Sequence, residues 1–438
     1  MAFKIGLLGY GTVGTGTAEI ILDPEGRNSL LQDIEIAKVG VRSLDQPRSP
    51  ELPSGVLTTD LAAIVSAPEI EIVVELLGGL EPARSLILQA IEHGKHVVTA
   101  NKAVIARHGA EIFTAANQAG VYVLFEAAVG GGIPVVKPLK QSLGVNRIQT
   151  VIGIINGTTN YILTQMTEEG ADFEEVLAEA QQLGYAEADP TADVDGYDAA
   201  DKIAILAAIA FNGRIKREEI DCEGIRQINA TDISYADDLG FVIKLLAIAK
   251  RGRSPIAKSN ADNDSLQVRV HPTLVSKNHP LANVNGVYNA ILVEGDPLGQ
   301  VMLFGPGAGK GATASAVVSD IVNIVGFLQT SNATRKLDPM LSCPHDHFKQ
   351  LTPIAEIDSR FYARFLCQDV PGVIGHLGTS FGKHDVSLES VVQIGFRDNL
   401  AEIVVVTHDV QEGNFRQALE EIKSLTSIDS IPSILRVL

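Results

Sequence analysis

Phe3-Lys-Ile-Gly-Leu-Leu-Gly9-Tyr-Gly11-Thr12-Val13-Gly14 reads as a strand that runs straight into a G-x-G-x-x-G, with a helical pattern following. That context separates a phosphate-binding turn from an incidental glycine run. In such a turn Gly9 permits the sharp bend, Gly11 lets backbone approach a pyrophosphate, and Gly14 lets helix and strand pack closely. Thr12 and Val13 begin the helix, whose unpaired N–H groups and positive dipole end face the phosphates. The expectation is a nicotinamide-dinucleotide oxidoreductase.

Working outward, residues 3–125 alternate apolar strand runs with helical stretches, as βαβ units do. Phe3–Leu8, Ile34–Val41, Ile70–Leu77, His96–Ala100 and Val121–Phe125 read as strands. Pro82 looks like a first-turn residue for a helix Ala83–His93, with Gly94 as its stop. Apolar strands alternating with helices imply a parallel sheet covered on both faces. After Glu126 the texture changes. Arg147–Ile155, Leu266–Val270 and Val287–Glu294 read as strands, and Thr158–Met166, Phe173–Leu183 and Asp198–Phe211 as helices. A glycine loop, Gly305 to Gly311, then opens an apolar helix Ala312–Leu328. From Phe361 the order is strand Phe361–Cys367, helix Val373–Phe381, strands Leu388–Ile394 and Glu402–His408, helix Phe415–Leu425 and strand Ser430–Val437. That is βαββαβ, a ferredoxin-like module. The fold class is therefore α/β. A Rossmann-type domain (1–130, completed by 305–330) precedes an α+β catalytic and dimerisation domain (131–304), a polar linker (331–357) and the ferredoxin-like domain (358–438).

Composition narrows the partners. The 438 residues carry 35 Lys and Arg against 53 Asp and Glu, a net charge of −18, with 45% hydrophobic residues. An acidic surface repels phosphate backbones and anionic membranes, so no nucleic-acid or membrane partner is expected. No apolar run looks long enough for a membrane helix, which needs roughly 18 residues. Cys222, Cys343 and Cys367 match no paired spacing and read as reduced thiols. With no signal or transit pattern ahead of the first strand, the expected location is the cytoplasm.

An NAD-preferring site usually has an acid at the end of the second strand, bonding the ribose hydroxyls. Here that strand ends Val39-Gly40-Val41-Arg42-Ser43. Arg42 suits a 2′-phosphate, which favours NADP and leaves NAD open. The loop Gly305-Pro-Gly307-Ala-Gly309-Lys310-Gly311 imitates a P-loop but lacks its first glycine and its Ser or Thr after the lysine. It reads as a second glycine loop, with Gly307 closing over the dinucleotide.

Hydride transfer to a carbonyl needs a proton donor and groups that hold the substrate. The segment Gly184 to Lys202 sets Glu187, Asp189, Asp193, Asp195, Asp198 and Asp201 ahead of one lysine. Asp198 and Lys202 share a helix face, and the helix continues almost wholly apolar. A charged pair there is costly unless it has a function. An ordinary i,i+4 ion pair beside an acidic loop would give the same spacing.

The run Leu183–Lys202 also resembles the signature of homoserine dehydrogenases: Gly-aromatic, an acid, Asp-Pro, then Asp-x-x-Gly-x-Asp-x-x-x-Lys. Asn156-Gly157-Thr158-Thr-Asn160, Val98-Thr99-Ala-Asn101-Lys102 and Glu126-Ala-Ala-Val129-Gly-Gly131-Gly-Ile133-Pro resemble further motifs of that family. The tail, with Asp369-Val-Pro371-Gly372, resembles an ACT domain. No aspartokinase-like stretch precedes the phosphate loop, which suits the monofunctional form. The resemblance implies NAD(P)-dependent interconversion of L-aspartate 4-semialdehyde and L-homoserine, on the route to threonine, methionine and isoleucine. By motif position Lys202 and Lys102 would stand at the reacting carbon, one of them handling the proton. Glu187, Asp193, Asp198, Tyr185, Thr158 and Gly157 would form the substrate pocket, and Gly78, Thr99, Asn101 and Lys102 would line the cofactor cleft. A monovalent cation (Na or K) would sit on the side chain or carbonyl of Glu126 and on the carbonyls of Val129, Gly131 and Ile133, a stretch that also reads as a plain hinge. Through the ACT tail the resemblance implies an amino-acid effector, threonine foremost, and the chain is expected as a homodimer or homotetramer. Deleting the tail is expected to leave turnover intact and to remove threonine sensitivity. Lys137 and Lys140 read as solvated helix charges, and Cys343-Pro-His345-Asp-His347 as polar linker rather than metal site. The competing readings are a same-fold enzyme for another small amino or keto acid, and a non-catalytic nucleotide sensor.

Overall fold

The structure, a computed structural model, describes residues 2–252, 265–330, 337, 338, 340–343, 345, 347–397 and 400–438. Part of the expected linker, Pro344 and Asp346 included, lies outside the described residues. The chain forms two compact units. The first holds Met1–Val151, Asp201–Glu218 and Tyr288–Lys349. The second holds Ile152–Ala200, Glu219–Val287 and Gln350–Leu438.

The chain begins with β1 (Phe3–Leu8), α1 (Thr12–Leu22), β2 (Ile34–Gly40), β3 (Leu57–Thr58), α2 (Leu61–Ser66), β4 (Ile72–Glu75), α3 (Ala83–Glu92), β5 (His96–Thr99), α4 (Lys102–Ala119) and β6 (Val123–Leu124). These strands make one parallel sheet in the order β3-β2-β1-β4-β5-β6. The order reverses between β1 and β4, and open parallel sheets bind ligands outside the strand ends at that point. Several strands are shorter than their apolar runs. In β6 only Val123 and Leu124 find ladder partners, Val97 and Val98. β3 and α2 carry too few residues for a periodic signal and were not foreseen. α3 starts after Pro82 as expected, and Gly94 follows it at φ +72°.

α5 (Val136–Gln141) and β7 (Arg147–Ile154) follow, then α6 (Gly157–Glu169), α7 (Phe173–Gln182), α8 (Thr191–Val194), α9 (Tyr197–Ala210), β8 (Asp221–Cys222), α10 (Ala230–Asp238), β9 (Phe241–Arg251) and β10 (Leu266–Ser276). β9 was missed because Phe-Val-Ile-Lys-Leu-Leu-Ala-Ile-Ala is an apolar run that periodicity alone cannot separate from a buried helix. It pairs antiparallel with β10 over all eleven residues, which also carries β10 past the expected end at Val270.

In the first unit, β11 (Tyr288–Asp296) and β12 (Gly299–Pro306) form an antiparallel pair. The glycine loop then shrinks to Gly307–Gly309, because β12 takes Gly305 and Pro306 and α11 (Lys310–Thr330) begins at Lys310. α11 corrects the expectation about apolar runs: by length and composition it could cross a membrane. Here Val317, Ile321, Ile324 and Val325 are buried in one core with Ile5, Leu7 and Val74 of the parallel sheet. That is the environment of a core helix. Gly16 admits the close approach of α1, since a Cβ there would lie 3.0 Å from Ala314.

In the second unit the tail runs β13 (Asp358–Gln368), α12 (Val373–Lys383), β14 (Leu388–Arg397), β15 (Leu400–Thr407), β16 (Val410–Gln411), α13 (Glu412–Lys423) and β17 (Ile428–Val437). Its sheet order, β17-β13-β15-β14, is that of the expected ferredoxin-like module. One feature was not expected. β17 pairs in parallel with β10, Thr273 opposite Arg436 and Leu274 opposite Val437, so the tail sheet continues into the β9–β10 pair.

Candidate active site

The phosphate turn follows from its glycines. Gly9 takes φ +108° and donates its N–H to the Gly40 carbonyl at 3.1 Å. A Cβ on Gly14 would collide with the Gly9 carbonyl, and one on Gly11 would meet nothing within 4 Å. Gly11 caps α1 with no side-chain hydrogen bond, and no acid stands in the first turn. The leading N–H groups of α1 therefore present a positive end to an anion. Arg42 lies exposed just beyond β2. Arg48, which the sequence did not single out, donates to the Ser43 carbonyl at 2.5 Å and so brings a second guanidinium to that turn.

At the ends of β4 and β5 a buried acid organises the loops. Glu75 accepts from the Thr99 hydroxyl at 2.6 Å and from the Leu77 N–H at 2.8 Å. Burial pushes its carboxyl pKa up, against the pull of these hydrogen bonds. Thr99 in turn accepts the Asn101 N–H at 2.9 Å. The Asn101 side chain donates to Gly79 O and caps α4 through Val104 N. Lys102 is thereby the first residue of a helix whose start is pinned twice. Thr99 is wholly buried behind this loop rather than lining the cleft.

A cavity of about 260 Å³ in the first unit is lined by Val13, Gly78, Asn101, Lys102, Gly131, Lys202 and Gly307, together with Ala128, Gly130 and Thr313. It brings seven of the expected residues together, drawn from six separate stretches of chain. Neither Arg42 nor Thr99 lines it. Gly307 stands where it does because a Cβ would overlap the Asn289 side chain, and Gly131 because a Cβ would lie 2.5 Å from the Gly307 carbonyl.

The second unit gathers the carboxylates. Asn156 caps α6 by accepting from Thr159 N at 2.8 Å, and its Nδ2 donates to Asp193 at 2.7 Å and to Asp198 at 2.8 Å. One amide thus binds two acids that the sequence places five residues apart. The Thr158 hydroxyl donates to the Tyr185 carbonyl at 2.7 Å, and the Tyr185 ring lies 4.9 Å from that of Tyr161. Gly157 must be glycine for packing, since a Cβ would lie 2.8 Å from Val287 O. Glu187 is exposed and does not join the Asn156 cluster. Asp198 (5% exposed) and Lys202 (8%) lie one turn apart on α9. Asp201, which with Lys202 belongs to the first unit, is buried there and pairs within that unit with Arg107 at 2.9 Å and Arg217 at 2.7 Å.

The comparisons with known proteins agree with this chemistry. A homoserine dehydrogenase family model matches residues 134–322, the NAD-binding-domain model of the same family matches 9–126, and an ACT domain model matches 361–426. A curated homoserine dehydrogenase of Synechocystis sp. is 68% identical over the full length of both chains.

The chain belongs to the homoserine dehydrogenase family.

A crystal structure of a homoserine dehydrogenase from Thiobacillus denitrificans superposes with a TM-score of 0.89 at 41% identity, covering 100% of this chain and 98% of that one. A hyperthermophilic archaeal homoserine dehydrogenase in complex with NADPH matches 76% of this chain and all of its own, with a TM-score of 0.62 and 28% identity.

In the loop after β6 the side chain of Glu126, one of its two groups expected to meet a cation, is engaged elsewhere. Both carboxylate oxygens of Glu126 accept backbone N–H groups, from Val135, Val136 and Lys137 at 2.6–2.8 Å, and so cap α5. Its side chain is structural. Lys137 and Lys140 are not solvated charges either. Lys137 pairs with buried Asp320 at 3.0 Å, and Lys140 donates to Cys343 Sγ at 2.8 Å. Of the residues that matter, Glu75, Asn156, Asp201 and Asp320 were not singled out from the sequence. Asn156 stood inside a quoted motif. Asp201 stood unremarked in the acid-rich run before Lys202, and Glu75 and Asp320 were single acids in apolar runs, which signal burial without naming a partner.

Proposed function

We propose that this chain uses NADP to interconvert L-homoserine and L-aspartate 4-semialdehyde, supplying threonine, methionine and isoleucine synthesis in the cytoplasm. The observation that carries the reading is the Asn156 bridge, which sets Asp193 and Asp198 together at the start of α9, one turn ahead of Lys202. Lys202 shares its cavity with Lys102 and the glycine loops.

The residues fit a dinucleotide: α1 offers uncapped N–H groups to the pyrophosphate, and Arg42 and Arg48 offer guanidinium groups to a 2′-phosphate. When bound, the nicotinamide takes or returns the hydride at the substrate's terminal carbon. In the oxidising direction one of the two lysine amines takes the hydroxyl proton as the C–O bond becomes C=O. In the reverse direction the ammonium returns it to the aldehyde oxygen. Asp193, Asp198 and Glu187 hold the substrate's ammonium and hydroxyl, with Tyr185, Gly157 and Thr158 shaping the pocket. Gly130 (φ +74°) and Gly131 (φ +54°) bend the 129–133 loop so that the carbonyls of Val129, Gly131 and Ile133 suit a sodium or potassium ion, with Glu126 contributing its carbonyl. The tail takes threonine as effector, and the working form is a homodimer or homotetramer.

The test follows reduced nicotinamide by absorbance with L-homoserine and NADP or NAD, on the natural chain and on Lys202→Ala. Turnover with NADP preferred, and a loss of roughly two to four orders of magnitude in the variant, is the expected result. No turnover with either cofactor overturns the substrate assignment, and NAD preference overturns the role of the two arginines. Titrating L-threonine into the same assay on the intact chain tests the effector.

A further inference from the structure

Behind the Asn156 cluster lies a buried cation that neither the family motifs nor the reaction uses. Lys244, on β9, is 3% exposed. Its ammonium donates to Val284 O at 2.6 Å, Asn285 Oδ1 at 3.0 Å and Asn160 Oδ1 at 3.3 Å. All three of its protons are thus used, and none of these acceptors is a carboxylate. A buried ammonium held only by neutral oxygens is an expensive arrangement.

The acceptors share a location. Asn160, on α6, donates its own Nδ2 to Val284 O at 3.1 Å and Gly286 O at 2.9 Å. Thr164, one turn further, donates to Asn160 O at 2.7 Å and accepts from Gly286 N at 3.0 Å. The 284–287 segment is thereby tied to α6, and its next carbonyl, Val287 O, lies against Gly157 so closely that no side chain fits there. Gly157 is the first residue of α6, and Asn156 is its cap.

We infer that Lys244 is a positioning residue: by clamping the 284–287 segment to α6 it fixes the helix start at Gly157, and with it the Asn156 amide that holds Asp193 and Asp198. It touches neither carboxylate and acts only through this chain of contacts. The inference rests on the substrate role proposed for those two acids.

The clamp has a pH dependence of known sign. Burial pushes the Lys244 ammonium down to about 8, with Glu168 on α6 pulling the other way. β10 faces it with Thr273 and, two residues along, with His271, whose ring is held neutral by burial. The 280–283 turn brings Asn283, and Lys277 lines the same small cavity. A neutral amine keeps two N–H donors for three acceptors, so one bond of the clamp is lost as the pH rises through about 8.

Steady-state constants for L-homoserine and NADP, measured from about pH 7 to 9.5 on the natural chain and on Lys244→Met, test this. The expected result in Lys244→Met is a homoserine KM raised about tenfold or more, with the NADP KM within about twofold. The natural chain should lose homoserine affinity above about pH 8 more steeply than Lys244→Met, in which that limb is absent. Titration of the substrate's own ammonium is common to both and cancels in the ratio. If Lys244→Met does not fold, Asn285→Ala removes one acceptor only, and its homoserine KM should rise while the NADP KM holds. An unchanged homoserine KM in a folded variant, equal losses for both ligands, or matching pH profiles would overturn the role of Lys244 while leaving the enzyme assignment intact. Absence of homoserine turnover in the natural chain would instead remove the assignment on which the inference stands.

Discussion

Asp320 shows how much one side chain can carry. It sits on α11, 1% exposed, accepting the Glu126 N–H at 2.7 Å and pairing with Lys137 at 3.0 Å. Burial pushes its carboxyl up to about 6, with Lys137 pulling down and the Glu126 carboxylate pushing up. An acid whose folded pKa is raised contributes stability in full below its unfolded value of 3.8, and loses it as the pH rises through about 6. The stability advantage of the natural chain over Asp320→Asn should therefore shrink between about pH 4 and 6.5 and stay level above that. Urea unfolding across that range measures it, and a gap that widens with pH would contradict the assignment. Nothing about Asp320 in the sequence betrays this. A lone acid in Ala-Val-Val-Ser-Asp320-Ile-Val-Asn-Ile reads as an interruption of an apolar helix, because its partners stand near 126 and 137.

At the scale of elements, legibility followed period and length. β1 and α1 were readable because a strand, three glycines and a helix stand in one unbroken order, each glycine with its own steric reason. That reason makes a prediction. Gly14→Ala would press a methyl group into the Gly9 carbonyl and open the turn, raising the NADP KM about tenfold or more with the homoserine KM little changed. A variant with unaltered NADP binding would remove the phosphate role from this turn. β9 and β12 were not readable. β9 is apolar on both faces, so it has no period-2 signature, and β12 alternates too weakly against its glycines and proline. The Asn156 motif was visible as a helix start, but its grip on Asp193 and Asp198 was not, since the spacing of 37 and 42 residues has no local meaning.

Across the whole molecule, the tail is less separable than its sequence suggests. Arg364 on β13 is 0% exposed and pairs with Asp232 of α10 at 2.9 Å and with Glu402 of β15 at 2.7 Å. Arg436 on β17 pairs with Glu223 at 2.9 Å and with Glu412 of α13 at 2.6 Å. Removing one partner of a buried pair strands the other charge, so Arg364→Met should cost about 3–5 kcal/mol of unfolding free energy. Chemical denaturation checks this, and a loss under about 1 kcal/mol would mean the pair is solvated rather than buried. The expected clean deletion of the tail is revised for the same reason. Cutting before Asp358 strips β17 from β10 and leaves Asp232 and Glu223 without their arginines, so the truncated chain should lose stability before the proposed effector role of the tail can be tested on it.

The amino-acid sequence by itself determined the phosphate turn, the parallel βαβ order, the βαββαβ tail and the acid-rich run ending at Lys202. Each of these is a local pattern of glycine sterics, backbone period or residue spacing within some twenty positions, and such patterns survive without tertiary contacts. Only the tertiary structure decided that Glu126 caps a helix, that Asn156 holds two acids, that Lys244 clamps the segment behind them and that the tail sheet joins β10. Those facts depend on which distant groups become neighbours once water is excluded. A buried charge or amide takes whatever partner folding supplies, and no spacing along the chain encodes that partner.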